Sequence, residues 1–281
     1  MKRIASVIFA MTFLMTSVYV SSCKKKKEDA IPNDGMVSET NEAQSQWDDV
    51  LKISEDAINA QGESAAARTS ADPTITKVTI SEGSFIGKIT VDFGTATVGN
   101  DGRTRSGQII IKYTGKYRTS GTVIQSTTQN YFVNGKEIKG VRTVTNNGSY
   151  SYSVVDAGLS GAEFAQIIYP NGGGTTTWKS NRTRTWTAGY GTIGTLSDDV
   201  YSISGTASGV SKENKAYTMT ITNLIVKLEC FFTYYIYMPA GGAIDIITAE
   251  GTRSVNYGNG VSCDRNVTFT AIDGKTYELS L

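Results

Sequence analysis

The stretch that decides the fold, residues 88–117, is KITVDFGTATVGNDGRTRSGQIIIKYTGKY. Ile89, Val91 and Phe93 alternate with polar residues, which is the period of a strand with one buried face. A loop rich in glycine and asparagine follows, and residues 108–113 then return to β-branched and aromatic side chains. The stretch therefore predicts two antiparallel strands joined by a loop.

The same pattern continues from this stretch to the end of the chain. Asn-Gly and Asp-Gly pairs, typical of tight hairpins, separate the segments, and only two prolines fall after residue 75. The predicted strands are 76–80, 86–93, 108–113, 122–133, 139–145, 149–155, 165–169, 175–187, 200–207, 216–222, 226–237, 243–248, 253–257, 267–270 and 276–281. Residues 74–281 are therefore predicted to be all-β, an antiparallel meander forming a β-sandwich or a curled barrel-like sheet.

The N-terminus has the pattern of a bacterial lipoprotein signal peptide, residues 1–22. Lys2 and Arg3 precede an uncharged apolar run over 4–19, and Val-Ser-Ser leads into Cys23. The small serines admit the peptidase, and the Cys23 thiol takes the lipid. A plain secretory leader or one spanning helix is the alternative, but the apolar run is shorter than the ~20 residues that a span needs. We expect a lipid-attached protein, carrying chains such as palmitate, on the outer membrane.

Residues 23–73 are predicted to be an acylated tether. Four lysines at 24–27 either pair with anionic headgroups or are simply solvated, and the domain could face the periplasm or the cell surface. A short helix is expected between about 38 and 60, with Ser38 as its N-cap. Its apolar side chains, at helical spacing, are Trp47, Val50, Leu51, Ala57 and Ile58. Such a helix would either cap the sheet or lengthen the tether.

Charge and cysteine content narrow the partners. The formal net charge is +1, and removal of Lys2 and Arg3 with the leader leaves a nearly neutral chain, which argues against nucleic acid as a partner. After lipidation of Cys23, two cysteines remain. In an exported protein Cys230 and Cys263 are expected to form a disulfide, with two separate buried thiols as the alternative.

The absence of histidine limits the chemistry of this chain. It excludes a Ser/His/Asp triad and a histidine-ligated zinc site, and no phosphate-binding glycine loop is present. The Asn-Asp-Gly sequence at 100–102 lacks the alternating oxygen ligands of a calcium loop. We expect no cofactor and no metal site.

Paired carboxylates are the remaining catalytic candidates, because a glycosidase needs two of them about 5 to 9.5 Å apart. The sequence offers Asp198 with Asp199, Asp156 with Glu163, and Glu229. Adjacent aspartates in an extended segment point to opposite faces, and aspartate before a strand is ordinary turn chemistry. We therefore expect a protein without enzymatic activity.

One predicted strand carries a set of aromatic and basic residues on a single face. Trp178, Arg182, Arg184 and Trp186 are separated by even numbers of residues, so in a strand they point the same way. An exposed face of this kind would bind glycans or anions by stacking and cation–π contacts. An inward face would be a packed layer of the sheet.

Several segments carry a resemblance to a known group of proteins. They are residues 89–94, 101–107, 113–117, 178–186, 256–260 and Cys263-Asp264. Together they resemble a family of Bacteroidetes all-β envelope lipoproteins without an assigned activity. The resemblance implies an envelope β-protein and supplies no catalytic residues. In that family type an acidic run after the lipidated cysteine resembles a surface-export signal, whereas here lysines come first.

The sequence thus favours a structural or protein-binding role in the cell envelope, through contacts at a sheet edge. A glycan-binding module using Trp178, Arg182, Arg184 and Trp186 is the alternative. A carboxylate-dependent hydrolase is a third hypothesis.

Overall fold

The computed structural model describes residues 34–59, 73–192, 195, 197–230 and 239–280. The predicted signal peptide, Cys23 and tether residues 24–33 and 60–72 lie outside the described residues. No helix of the described part is long and apolar enough to cross a membrane.

The described chain contains one long α-helix and a series of strands, with short 3-10 turns at Leu159–Gly161 and Pro170–Gly172. The helix is α1 (Gly35–Asn59). The strands are β1 (Thr74–Glu82), β2 (Phe85–Asp92), β3 (Thr97–Val98), β4 (Thr104–Tyr113), β5 (Val123–Val133), β6 (Lys136–Lys139), β7 (Val141–Gly148), β8 (Ser151–Ala157), β9 (Ala165–Ile168), β10 (Thr175–Ala188), β11 (Val200–Val210), β12 (Ala216–Lys227), β13 (Pro239–Thr248), β14 (Gly251–Asn259), β15 (Asn266–Thr270) and β16 (Thr276–Ser280).

The strands form one antiparallel sheet that follows the chain order, which confirms the predicted all-β antiparallel class. The meander is interrupted in its middle, where β6 and β7 both pair with β5, and β8 and β9 both pair with β10. Residues 139–145, predicted as one strand, are divided at Gly140. A Cβ atom there would lie 2.7 Å from the Trp47 ring and 2.7 Å from the Ala165 Cβ, so glycine lets the helix approach the sheet.

The prediction of a separate strand over 226–237 is wrong at its start. Strand β12 continues without a break to Lys227, and residues 228–230 form a helical turn. Asn223, with φ of 47°, marks an irregularity inside β12 rather than its end, because asparagine tolerates a left-handed conformation in mid-strand better than most residues. Residues 231–238 lie outside the described residues.

Helix α1 begins earlier than predicted, and its N-cap is Asp34 rather than Ser38. The Asp34 Oδ1 atom accepts hydrogen bonds from the backbone N–H groups of Met36 at 3.0 Å and Val37 at 3.3 Å. Trp47 and Val50 on the predicted apolar stripe are completely buried. The helix therefore belongs to the core, which answers whether it caps the sheet or extends the tether.

The sheet curls around this helix. Two consecutive helix residues, Asp48 and Asp49, contact Arg182 on β10 and Arg105 on β4, at 3.0 and 2.7 Å. Four strand spacings separate β4 from β10, about 19 Å along a flat sheet, which is farther than one helix of about 10–12 Å diameter spans. Strands β4 to β10 must therefore wrap around one side of α1, so that the sheet has a concave inner face and a convex outer face.

A disulfide joins Cys230, just after β12, to Cys263 in the connection between β14 and β15. The Cα atoms are 5.2 Å apart, and the bridge spans 33 positions of the chain. It encloses β13 and β14 in a covalent loop, which limits the conformational freedom of this part in the unfolded chain.

Candidate functional site

The four residues of the predicted ligand face do share one side of β10, but that side is the concave one. Trp178, Arg182, Arg184 and Trp186 are 0, 2, 4 and 6% exposed. The prediction of an exposed glycan-binding face is therefore wrong for these residues. Strand alternation determines which side chains share a face, whereas the position of the helix determines which face is buried.

The acidic surface of α1 neutralises the arginines of the concave face. The helix has six carboxylates and a single lysine, and each of the five inward arginines lies within 4 Å of a helix or cap carboxylate. The pairs are Arg105–Asp49, Arg142–Asp48, Arg182–Asp48, Arg184–Glu55 and Arg253–Asp34. These contacts fix how the helix lies in the sheet, and they supply the partners that buried charges require.

Asp156 on β8, like Arg142, is completely buried in this network. Its oxygens accept hydrogen bonds from Arg142 Nε at 2.6 Å and Nη2 at 2.8 Å, from Trp178 Nε1 at 2.9 Å, and from Ser180 Oγ at 2.5 Å. Burial alone would raise the pKa of Asp156, but the Arg142 guanidinium and the other donors lower it to about 2. A carboxylate held ionised in this way is a structural anion and a poor proton donor near neutral pH.

The other carboxylates singled out in the sequence are not arranged as catalytic pairs. Glu163, the candidate partner of Asp156, is on the surface and binds Lys179 at 2.9 Å. Asp199 is buried and accepts from Trp186 Nε1 and the Tyr201 hydroxyl, both at 3.2 Å. Burial, ahead of these hydrogen bonds, raises the pKa of Asp199.

Asp198 is exposed and accepts a hydrogen bond from Thr192 Oγ1 at 2.5 Å, so it does not share an environment with its neighbour. Glu229 lies in the helical turn before the disulfide. Asp101, which is exposed, forms an ion pair with Arg105 at 2.6 Å. Within the described ranges no group of three or more acidic, cysteine or histidine residues could hold a metal ion.

A small recess, partly open to solvent, lies between α1 and strands β10 to β13. One stripe of the helix forms one wall, and inward residues of the sheet form the other. Its lining is Gln44, Asp48, Leu51, Lys52, Glu55, Arg184, Tyr201, Ile203, Leu224, Val226 and Pro239. Arg184 is paired with Glu55, and Lys52 with Asp56, so these charges are already compensated within the protein.

Strand β1 is an exposed edge of the sheet. Among the described strands it pairs only with β2, and most of its nine residues are exposed. Val78, opposite Lys88 on the convex side, is 40% exposed, and Ile86 on the same face of β2 is 55% exposed. Long edges of this kind can accept another strand unless proline, bulges or charges block them. Strand β1 contains no proline and one lysine, Lys77, and its irregularity of pairing and its one carboxylate lie at its end, between Thr79 and Glu82, so residues 74–79 form the regular edge.

The sequence reasoning named a sheet edge without locating it, because sequence order alone does not show which strand lacks a second neighbour. Comparisons with known proteins do not locate it either. No protein-family model, curated protein or solved structure matches this chain. The functional assignment therefore rests on the geometry of the chain itself.

Proposed function

We propose that this protein is a lipid-anchored component of the outer membrane that binds another envelope protein at strand β1. The observation that supports this is the nine-residue exposed edge with an apolar flank at Val78 and Ile86. The partner element is an extended segment that adds to the sheet as a further strand.

Strand addition obtains affinity from main-chain hydrogen bonds and specificity from alternate side chains. At β1 the main-chain groups on the side away from β2 supply the affinity. The exposed Val78 and Ile86 on the convex face supply the specificity, so the partner segment is expected to be apolar at alternate positions. Because pairing with β2 over residues 74–79 already holds β1 extended, little ordering free energy is spent at the edge.

Proline scanning of the edge tests this mode of binding. In an antiparallel pair, backbone N–H groups of successive residues point alternately toward and away from the neighbouring strand. One of Thr76→Pro and Lys77→Pro therefore removes an N–H that binds β2, and the other removes an outward N–H. We expect the first variant to lower the melting temperature, and the second to fold normally and lose the partner.

The readout is site-specific photo-crosslinking in cells that express the full chain, with the crosslinker at Val78. Ile247 is the matched control position, because it is 43% exposed on the same convex face but lies on β13, which is paired on both sides. A partner band from Val78, absent from Ile247 and lost in the well-folded proline variant, supports the proposal. A band that survives outward proline substitution would exclude strand addition.

The anchor is tested separately at Cys23. A Cys23→Ser variant should lose incorporation of labelled palmitate and move from the membrane fraction to the soluble fraction, because no thiol remains to accept the lipid. Protease treatment of intact cells then separates periplasmic from surface-exposed orientation. Palmitate labelling that is unchanged in Cys23→Ser would contradict the lipoprotein assignment.

A further inference from the structure

A cluster of aromatic side chains and one arginine lies at one end of the sheet, and no role described above uses it. Three connections build it: the loop between β4 and β5, the turn between β7 and β8, and the loop between β10 and β11. They are held together by backbone hydrogen bonds, from Gly121 N to Asn146 O at 2.8 Å and from Trp186 N to Tyr150 O at 2.8 Å. The members of this end cluster are Arg118, Tyr150, Trp186 and Tyr190.

Arg118 differs from the five arginines of the concave face. Its guanidinium carbon lies 4.5 Å from the Trp186 ring centroid and 4.6 Å from that of Tyr190. One of its N–H groups donates to the carbonyl oxygen of Tyr190. Within the described part of the chain no carboxylate lies in ion-pair distance of Arg118; its charge is held between two aromatic faces and attracts Asp199 only from farther away.

Tyr150 presents an exposed ring next to this cation. It is 52% exposed, and its ring centroid lies 4.2 Å from that of Tyr190. It occupies a hairpin turn in which both Ser149 and Tyr150 have positive φ, 50° and 62°. Turns of this type favour Asn-Gly. Tyr150 therefore adopts a backbone conformation that asparagine would adopt with less strain.

A buried polar group below the cluster is also incompletely paired. The Tyr152 side chain is 1% exposed and stacks on Tyr117, with ring centroids 5.0 Å apart. Its hydroxyl oxygen has no hydrogen-bond partner within the described residues. Burial first, and then the nearby Tyr190, raise the pKa of Tyr152 to about 12. Next to the cluster, the described residues therefore leave one buried hydroxyl unsatisfied.

We propose that the end cluster binds an acidic carbohydrate, a sugar that carries a carboxylate. The sugar ring stacks on the exposed face of Tyr150, and the carboxylate accepts hydrogen bonds from the guanidinium N–H groups of Arg118 that do not bind Tyr190. Aromatic rings suit the C–H face of a pyranose, and a guanidinium suits a carboxylate in two-point geometry. This site is separate from the edge strand and does not depend on it.

The test is calorimetric titration of the purified full chain with hexagalacturonate, a linear acidic oligosaccharide, and with neutral maltohexaose. Tryptophan fluorescence gives a second signal, since Trp186 is in the cluster while Trp47 and Trp178 are fully buried elsewhere. We expect saturable binding of hexagalacturonate and at least about tenfold weaker binding of maltohexaose, because only the acidic sugar engages the Arg118 charge.

Two variants connect binding to the cluster. Tyr150→Asn removes the ring and relieves the turn, so it should weaken binding about tenfold or more while the melting temperature stays the same or rises. Arg118→Gln should remove the preference for the acidic sugar. Lys179→Gln is the matched charge control, because this exposed lysine on the outer face of β10 is distant from the cluster in the register.

Three results would overturn the proposal. They are the absence of binding by hexagalacturonate, equal binding of the acidic and neutral sugars, and wild-type affinity in Tyr150→Asn. Wild-type affinity in Tyr150→Asn would exclude this site directly, since Tyr150→Asn is expected to keep the fold.

Discussion

Replacing Arg142 by methionine should lower the free energy of unfolding by about 3–5 kcal/mol, because it leaves the Asp156 carboxylate buried without its main counter-charge. Arg142 and Asp156 are both 0% exposed and share two hydrogen bonds, at 2.6 and 2.8 Å. Methionine keeps most of the side-chain volume, so the loss reports the charge more than packing. Urea denaturation at neutral pH measures it.

The double variant Arg142→Met/Asp156→Leu is the control. It removes both charges, so it should be more stable than Arg142→Met alone, since a buried pair replaced by apolar groups costs little. Trp178 and Ser180 lose an acceptor in it, which limits the recovery. A double variant less stable than the single one would show that the pair is not the source of the loss.

The same pair predicts how acid affects stability. The pKa of Asp156 is about 2 in the folded protein and 3.8 as a reference value. Since the folded pKa is the lower one, this carboxylate stabilises the fold above about pH 4 and loses that contribution as the pH falls through 4 toward 2. The stability difference between wild type and Arg142→Met should therefore narrow over this interval.

The second large effect concerns Trp47. Trp47→Ala should lower the free energy of unfolding by about 3–5 kcal/mol, because this ring is 0% exposed and its removal leaves a cavity between helix and sheet. Asp56→Ala on the exposed side of α1 is the control and should change stability by no more than about 0.5 kcal/mol beyond the loss of one surface pair. Thermal or urea unfolding of the full chain is the measurement.

A substitution at Gly140 tests whether the effect of Trp47→Ala comes from the contact between the Trp47 ring and the sheet. Gly140→Ala would place a methyl group against both the Trp47 ring and Ala165. In the Trp47→Ala background one of the two contacts is gone, so the glycine substitution should cost less there than in the wild type. Strictly additive losses would mean that the Trp47 ring does not limit the approach of the helix.

The sequence patterns predicted the strands well where alternation was uninterrupted. Val91 and Phe93 turned inward as a period of two requires, and Trp178, Arg182, Arg184 and Trp186 do share one face. Gly140 and Asn223 misled the prediction of element bounds in opposite directions. A strand ends at Gly140, where the Trp47 ring, 93 positions earlier in the chain, leaves no room for a side chain. Asn223, in contrast, lies at an irregularity inside a continuous strand.

The candidate sites were harder to predict, for a physical reason. A basic, aromatic face is equally suited to a ligand and to an acidic helix, and only the fold shows that Asp48 and Glu55 occupy this one. The end cluster joins residues from three connections, Arg118, Tyr150 and Tyr190, that no local pattern brings together. The signal that was available is Tyr150 in a two-residue hairpin loop, where a smaller residue is usual.

The ion pair between Arg253 and Asp34 joins residues 219 positions apart. Native contacts of such long range make folding slow, because the loop must close before the contact compensates for its entropy. During synthesis the acidic helix emerges first, and its last counter-charge arrives on the fourteenth strand. The chain therefore stays incompletely folded until nearly all of it has been made, and its apolar strands are exposed to aggregation in the meantime.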